Sequence, residues 1–174
     1  MNRCLIKNTF IYGAKCEDKV ISLLENAGLA CEKAQTKDPL FDIKAQYGLQ
    51  TIFFEVKYDY LSSKTGNIAI EYHNPKSNKP SGINITMADF WVVCLGTPLE
   101  IWMTDVHTLK DYLINNKAKK IIDVAGDYNA SLYLYPKDEL LSAIFYRIDN
   151  MDQTELESCV KFYVNDRANK YLLI

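Results

Sequence analysis

The stretch Asp42-Ile43-Lys44-Ala45-Gln46-Tyr47-Gly48-Leu49-Gln50-Thr51-Ile52-Phe53-Phe54-Glu55-Val56-Lys57 decides how this chain is read. Phe41 to Gln46 and Gln50 to Lys57 are rich in apolar and β-branched residues, and Tyr47-Gly48 supplies the glycine that a tight reversal needs, so the stretch reads as a β-hairpin. A two-residue loop at Tyr47-Gly48 pairs Gln46 with Leu49 and sets Asp42 opposite Phe53. Side chains alternate along a strand, so Phe53, Glu55 and Lys57 share one face, and Asp42 joins it with Glu55 as a diagonal neighbour. A four-residue loop keeps that parity, whereas a three-residue loop sends Asp42 to the other face.

Two carboxylates and a lysine brought together on an apolar strand have a specific chemical use. Carboxylate oxygens are hard ligands for Mg²⁺, which keeps several waters and completes its shell from a substrate phosphate. A lysine beside them is a compact cation that can orient a water and offset charge on a phosphodiester. Glu-x-Lys alone is a weak signal, since a solvated strand face carries such pairs by chance. Phe53, Phe54 and Val56 make the strand look buried, and ionised groups in that setting need partners or a metal.

An acid, a variable gap, then (Asp/Glu)-x-Lys on the next strand resembles the signature of the PD-(D/E)XK nuclease superfamily. The likeness spans about residues 12–95, with Asp42 in the place of the first acid, Glu55 of the second and Lys57 of the lysine. The proline departs from the pattern: it stands at Pro39, three before Asp42, and Asp38-Pro39 has the reversed order, with Asp38 a substitute candidate for the first acid. The resemblance implies an α/β fold, a single restriction-endonuclease-like domain with a mixed central β-sheet flanked by helices. It implies a Mg²⁺-dependent deoxyribonuclease, with Mn²⁺ substituting, acting on DNA as a phage-type or restriction-like endonuclease or as a Holliday-junction-resolving enzyme. Asp42, Glu55 and the Val56 carbonyl would then be metal ligands, and Lys57 would position the water. Members commonly carry a further glutamate on the preceding helix, a place that Glu17 occupies. Ser81-Gly82-Ile83, then Thr86 and Asp89-Phe90-Trp91, is similar to a stretch that borders the substrate cleft in phage and restriction-type members. A binding module for nucleic acid or protein that kept such a fold without turnover is the alternative from another class.

Composition sets outer bounds. At 174 residues the chain suits one domain, with residues 150–174 as a C-terminal extension. Hydrophobic content of 48% and charged content of 24% describe an ordinary globule. Five scattered cysteines without a CxxC pair, and only two histidines, argue against a zinc site and for a reducing compartment. No apolar run is long enough for a membrane helix, and no secretory signal is evident, so a cytoplasmic location is expected, that of the host cell if the chain is phage-encoded. A net charge of -2 disfavours indiscriminate nucleic-acid binding, leaving DNA contacts to local basic groups: Lys57, Lys64, Lys76 and Lys79.

Residues 12–27 carry Cys16, Val20, Leu23, Leu24 and Ala27 at helical spacing, and Gly28 reads as the stop. Glu17 lies at the edge of that stripe, facing either a metal site or solvent. Ile68 to Tyr72 reads as a third strand on which Glu71 has the parity opposite to Ile68, Ile70 and Tyr72, again toward the metal shell or toward water. The polar segment His73 to Gly82 reads as the longest loop, either a solvated connector or a contact for phosphate oxygens through Lys76, Lys79 and the Ser81-Gly82 amides, with Thr86 following. Phe90 to Leu95 reads as a buried central strand with Leu99 to Met103 beside it. Thr104 reads as the cap of a helix turning Val106, Leu109, Tyr112 and Leu113 inward, with His107 on its surface. Lys117-Ala118-Lys119-Lys120 reads as a solvated helix end, Ser131 to Tyr135 as a strand, and Pro136 as a helix start. The apolar end Tyr171 to Ile174 docks either on its own domain or on a second subunit of a homodimer.

Overall fold

A computed structural model describes residues 3–35, 40–124 and 129–171. Asp38, Pro39 and Leu172 to Ile174, which figure in the sequence reading, lie outside the described residues. The chain runs α1 (Arg3–Asn26), β1 (Ala30–Lys33), β2 (Ile43–Tyr47), β3 (Gln50–Asp59), α2 (Ser62–Thr65), β4 (Asn67–Asn74), β5 (Lys79–Pro80) and a 3₁₀ turn at Gly82–Asn84. It continues through β6 (Phe90–Leu95), β7 (Glu100–Asp105), α3 (Val106–Asn115), β8 (Lys120–Val124), β9 (Ala130–Pro136), α4 (Lys137–Ile144), β10 (Tyr146–Arg147) and α5 (Gln153–Tyr171).

Six strands form one sheet in the order β1-β2-β3-β6-β7-β10, with β3 and β6 parallel and the remaining pairs antiparallel. A second, antiparallel sheet has the order β5-β4-β9-β8. The protein is thus an α/β fold with a mixed central sheet and flanking helices, the architecture that the resemblance implies.

Alternation along β3 sorts its side chains between two cores. Ile52, Phe54 and Val56 join Ile43 and Ala45 of β2, Val20 and Leu24 of α1, and Leu156 and Val160 of α5. Phe53 points the other way, to the cluster of Trp91, Val93 and Leu95 on β6 with Ile68 and Ile70 on β4, Leu109 on α3 and Leu140 on α4. Every residue of Phe90–Leu95 is buried because the strand is covered on both faces.

Local chemistry fixes the element ends. Helix α1 begins well before Tyr12 and closes at Gly28, whose φ of +86° suits glycine. The Gly28 amide donates to the Glu25 carbonyl at 3.0 Å and the Leu29 amide to the Leu24 carbonyl at 3.1 Å, the bond pair that ends a helix on a left-handed residue. Helix α3 is capped by Asp105 instead of Thr104: the Asp105 carboxylate accepts from the Thr108 amide at 2.8 Å, while Thr104 is buried as part of β7. Lys117 to Lys120 leads into β8, with the Lys119 amide donating to the Leu134 carbonyl at 2.9 Å, and is not a helix end. Helix α5 docks on its own domain through Leu156 and Val160, and the Tyr47 hydroxyl donates to Glu157 at 3.0 Å. Among the described residues no helix is long and apolar enough to cross a membrane.

Candidate active site

The hairpin turns one residue later than the sequence predicts. Tyr47 pairs with Gln50, so the loop is Gly48-Leu49, with Gly48 at φ +59° and Leu49 fully in solvent. Relative to the expected pairing, each β2 residue faces a β3 residue two places further on. A shift of two preserves parity, and carried one residue past the paired rows it would set Asp42 level with Glu55 instead of Phe53. Strand β2 begins at Ile43, yet bonding to β3 starts one residue earlier: the Asp42 amide donates to the Phe54 carbonyl at 2.9 Å, and Asp42 Oδ2 accepts from the Val56 amide at 2.7 Å. A carboxylate therefore stands where the next backbone acceptor would be.

Glu55 is buried, at 5% exposure, between buried Phe54 and Val56. Its Oε1 accepts from Lys57 Nζ, while Oε2 is buried with no hydrogen-bond partner. Burial pushes the Glu55 carboxyl above its ordinary value; Lys57 pulls it back, and the negative charges of Asp42 and Glu71 raise it further. Lys57 is half-buried, with Nζ 5.6 Å from the centroid of the Trp91 ring. Burial works against its charge, but Glu55, Asp42 and Glu71 outweigh burial, and its pKa is raised. Trp91 stands beside Glu55 in the parallel β3–β6 register and walls this end of the pair.

Glu71 comes to the same place by way of the reversal through α2. Asp59 closes that reversal, its Oδ1 accepting from the Leu61 and Ser62 amides at 3.0 Å each and its Oδ2 from the Ala69 amide at 3.2 Å. With Asp59 set against Ala69, stepping back along β3 leads to Lys57 and Glu55, and stepping forward along β4 leads to Glu71. Glu71 lies near enough for its charge to act on both Lys57 and Glu55.

Other predicted residues are placed differently. Glu17 sits on α1, which covers the Val56 face of the sheet, the side away from Glu55 and Lys57, and it pairs with Lys33 of β1 at 3.2 Å. Thr86 is buried; its hydroxyl donates to the Leu40 carbonyl at 3.1 Å and accepts from the Ala88 amide at 3.1 Å. A hydroxyl so engaged braces the segment entering Asp42 and is not offered to DNA. The presumed loop from His73 is a hairpin, with Asn74 paired to Lys79 and exposed Lys76 at its tip. Lys64 is exposed on α2. The Ser81 amide is taken by the Tyr72 carbonyl at 3.1 Å, and Gly82, at φ +51°, packs on the backbone of Glu71. His107 is exposed and pairs with Asp111 at 3.1 Å.

Sequence reasoning gave Asp89 no role of its own. Its Oδ2 accepts from the Phe53 amide at 2.8 Å and its amide donates to the Phe53 carbonyl at 2.7 Å, which pins the start of the β3–β6 pairing that carries Glu55. An aspartate immediately before an apolar strand was the available signal.

Among the described residues, no three His, Cys, Asp or Glu side chains lie close enough together to form a ready metal cage. The donor chemistry nonetheless fits a hard divalent cation. The groups are carboxyls, and Glu55 Oε2, a carboxyl oxygen buried without a partner, is a position that a cation would satisfy.

No family model matches the chain, and no curated protein does. Among solved structures it is similar to a bacterial homing endonuclease, I-Ssp6803I, at 19% identity over 60% of this chain and 73% of that one, with a TM-score of 0.46. It is also similar to Hjc, a Holliday junction resolvase from the archaeal hyperthermophile Archaeoglobus fulgidus, at 12% identity over 80% of this chain and 97% of that one, with a TM-score of 0.44. The likeness is one of fold.

Proposed function

We propose that this chain is a Mg²⁺-dependent deoxyribonuclease that hydrolyses DNA phosphodiester bonds, acting as a phage-type, restriction-like or junction-resolving endonuclease. The observation that carries this reading is Glu55: a buried carboxylate with one unpartnered oxygen, beside Lys57 and within reach of the Asp42 charge. Asp42, Glu55 and the Val56 carbonyl would hold Mg²⁺ or Mn²⁺, with Glu71 the nearest further carboxylate. When bound, such an ion neutralises charge on the phosphate and makes a bound water more acidic.

The chain's own groups account for the rest. Lys57 is kept protonated by its three acidic neighbours, which suits it to donate a hydrogen bond to a water or to a non-bridging phosphate oxygen. Trp91 shields one side of the lysine from solvent and strengthens that interaction. The water gives up a proton to solvent as its oxygen bonds to phosphorus, the P–O bond in line with it breaks, and the departing oxygen takes up a proton from solvent. Lys76, Lys79 and Lys64 are exposed cations suited to flanking phosphates.

One feature favours a binding module without turnover: Asp42 Oδ2 is already committed to the Val56 amide. The two readings separate in one assay, wild type against Lys57→Ala on linear, circular and branched DNA with Mg²⁺, Mn²⁺ or Ca²⁺. A nuclease loses about 10²–10³-fold in kcat on loss of this cation while keeping its fold. Well-folded wild type that cuts no DNA form in Mg²⁺ or Mn²⁺, yet binds DNA, establishes the module. Sedimentation tests for the homodimer that a junction-resolving enzyme requires.

A further inference from the structure

Resting on the nuclease reading above, we propose that Gly82 and Asn84 are positioning residues for Glu71, fixing where its carboxylate meets the Glu55–Lys57 pair. Strand β4 loses its regular ladder with β9 at this point, since the register shifts between Glu71 and His73. A bulge re-aims side chains and leaves the strand free to move unless something else holds it. The 3₁₀ turn supplies the hold. The Ser81 amide donates to the Tyr72 carbonyl at 3.1 Å, and Asn84 Nδ2 donates to the same oxygen at 3.0 Å.

Between those two bonds, Gly82 lies flat on Glu71. A Cβ added at Gly82 would fall 2.3 Å from the Glu71 carbonyl oxygen and 2.8 Å from both its carbonyl carbon and its Cβ. Contacts that short are impossible, and two of the three atoms are backbone, so one side must move. The turn cannot give easily: Ile83 is buried in the second core, and the Ile85 and Thr86 amides both donate to the Gly82 carbonyl at 3.1 Å. The bulged strand is the softer side. Displacement therefore falls on Glu71, and through it on the carboxylate set. Neither Gly82 nor Asn84 carries charge, so their substitution alters the place of Glu71 without adding or removing an ionisable group.

The test is a kinetic cycle on Mg²⁺-dependent DNA cleavage joined to a crystal structure. In Gly82→Ala, kcat should fall by about 100-fold, the scale of an ångström-sized misplacement, with KM for DNA unchanged. In a Glu71→Ala background the same change should cost nothing further, because its effect acts through Glu71. Asn84→Ala removes one donor from an exposed position and should show the same pattern with a smaller loss. Losses that add fully to those of Glu71→Ala overturn the proposal, as does a crystal structure of Gly82→Ala with Glu71 in its wild-type place. Should wild type cut no DNA, the nuclease reading falls, and the position of Glu71 in that crystal structure decides the clasp by itself. If Gly82→Ala does not fold, the structure of Asn84→Ala takes its place with the same criterion.

Discussion

Replacing Glu55 by glutamine should make the metal-free protein more stable while abolishing metal-dependent cleavage. Glu55 is buried with Oε2 unpartnered, and burial, together with Asp42 and Glu71, holds its pKa above the ordinary 4.5. A carboxyl raised in this way binds its proton more tightly in the folded than in the unfolded chain. Its contribution to stability is fully present below 4.5 and is lost as pH rises through the folded-state value. At neutral pH the Glu55 charge is therefore a net cost. Glutamine leaves an unpartnered polar atom at the same place and removes its charge, so what is recovered is the charge-related part of the burial penalty, about 1–3 kcal/mol. Against this, half-exposed Lys57 loses its anionic partner, a change of about 0.2–1 kcal/mol for pairs open to water. Lys57, with its pKa raised, stays protonated throughout and adds no pH dependence in this range. The balance is a gain centred on about 1 kcal/mol, or about 2–4 °C in Tm for a chain of this size. Calorimetric scans in a chelating buffer, from about pH 4.5 to about pH 8, should show the Tm gap widest at the alkaline end and closing toward the acidic end. Added Mg²⁺ should raise the Tm of wild type and not that of Glu55→Gln. A variant less stable than wild type at neutral pH, or a gap that does not vary with pH, refutes the reasoning.

Asp42 should separate structure from chemistry. Asp42→Asn keeps an acceptor for the Val56 amide and should melt near wild type, whereas Asp42→Ala leaves that buried amide unmatched at a cost of about 1–3 kcal/mol; both should lose Mg²⁺-dependent cleavage. Equal Tm values for the two variants would remove the side-chain rung from the account. For the β4–β5 hairpin, Lys76→Ala and Lys79→Ala should each lower the slope of log binding constant against log salt by about 0.9 on duplex DNA. An unchanged slope takes that hairpin out of the interface.

Much of the fold could be read from local pattern, and the failures share a cause. Gly28 ends α1 and Phe90 to Leu95 forms a buried strand because each signal is strong and local. Strand β8 is hard to read in the sequence because its short run, Lys120-Ile121-Ile122-Asp123-Val124, begins in a lysine cluster and does not alternate. The α3 cap fell one residue late because Thr104 and Asp105 are both good caps, and only the buried position of Thr104 in β7 selects between them. Asp152 and Glu155 exchange bonds with each other's amides at 2.9 Å to cap α5.

At the candidate site, what parity controls was legible and what distant packing controls was not. The hairpin turned at an unexpected residue, yet the shift is by two residues, which leaves every paired side chain of β2 and β3 on its expected face. Glu17 lay on the correct helix, but helical phase cannot say which face of the sheet α1 will cover or that Lys33 will claim the carboxylate. Glu71 was undecided for the converse reason. Its place depends on Asp59 binding the Ala69 amide and on Gly82 pressing against its backbone, contacts between segments whose meeting no local pattern encodes. The apolar residues that made β3 readable as a strand are also what deprive Glu55 of water. Signal and chemistry therefore have one origin: the burial that identifies the strand is the burial that leaves a carboxylate oxygen in need of a cation.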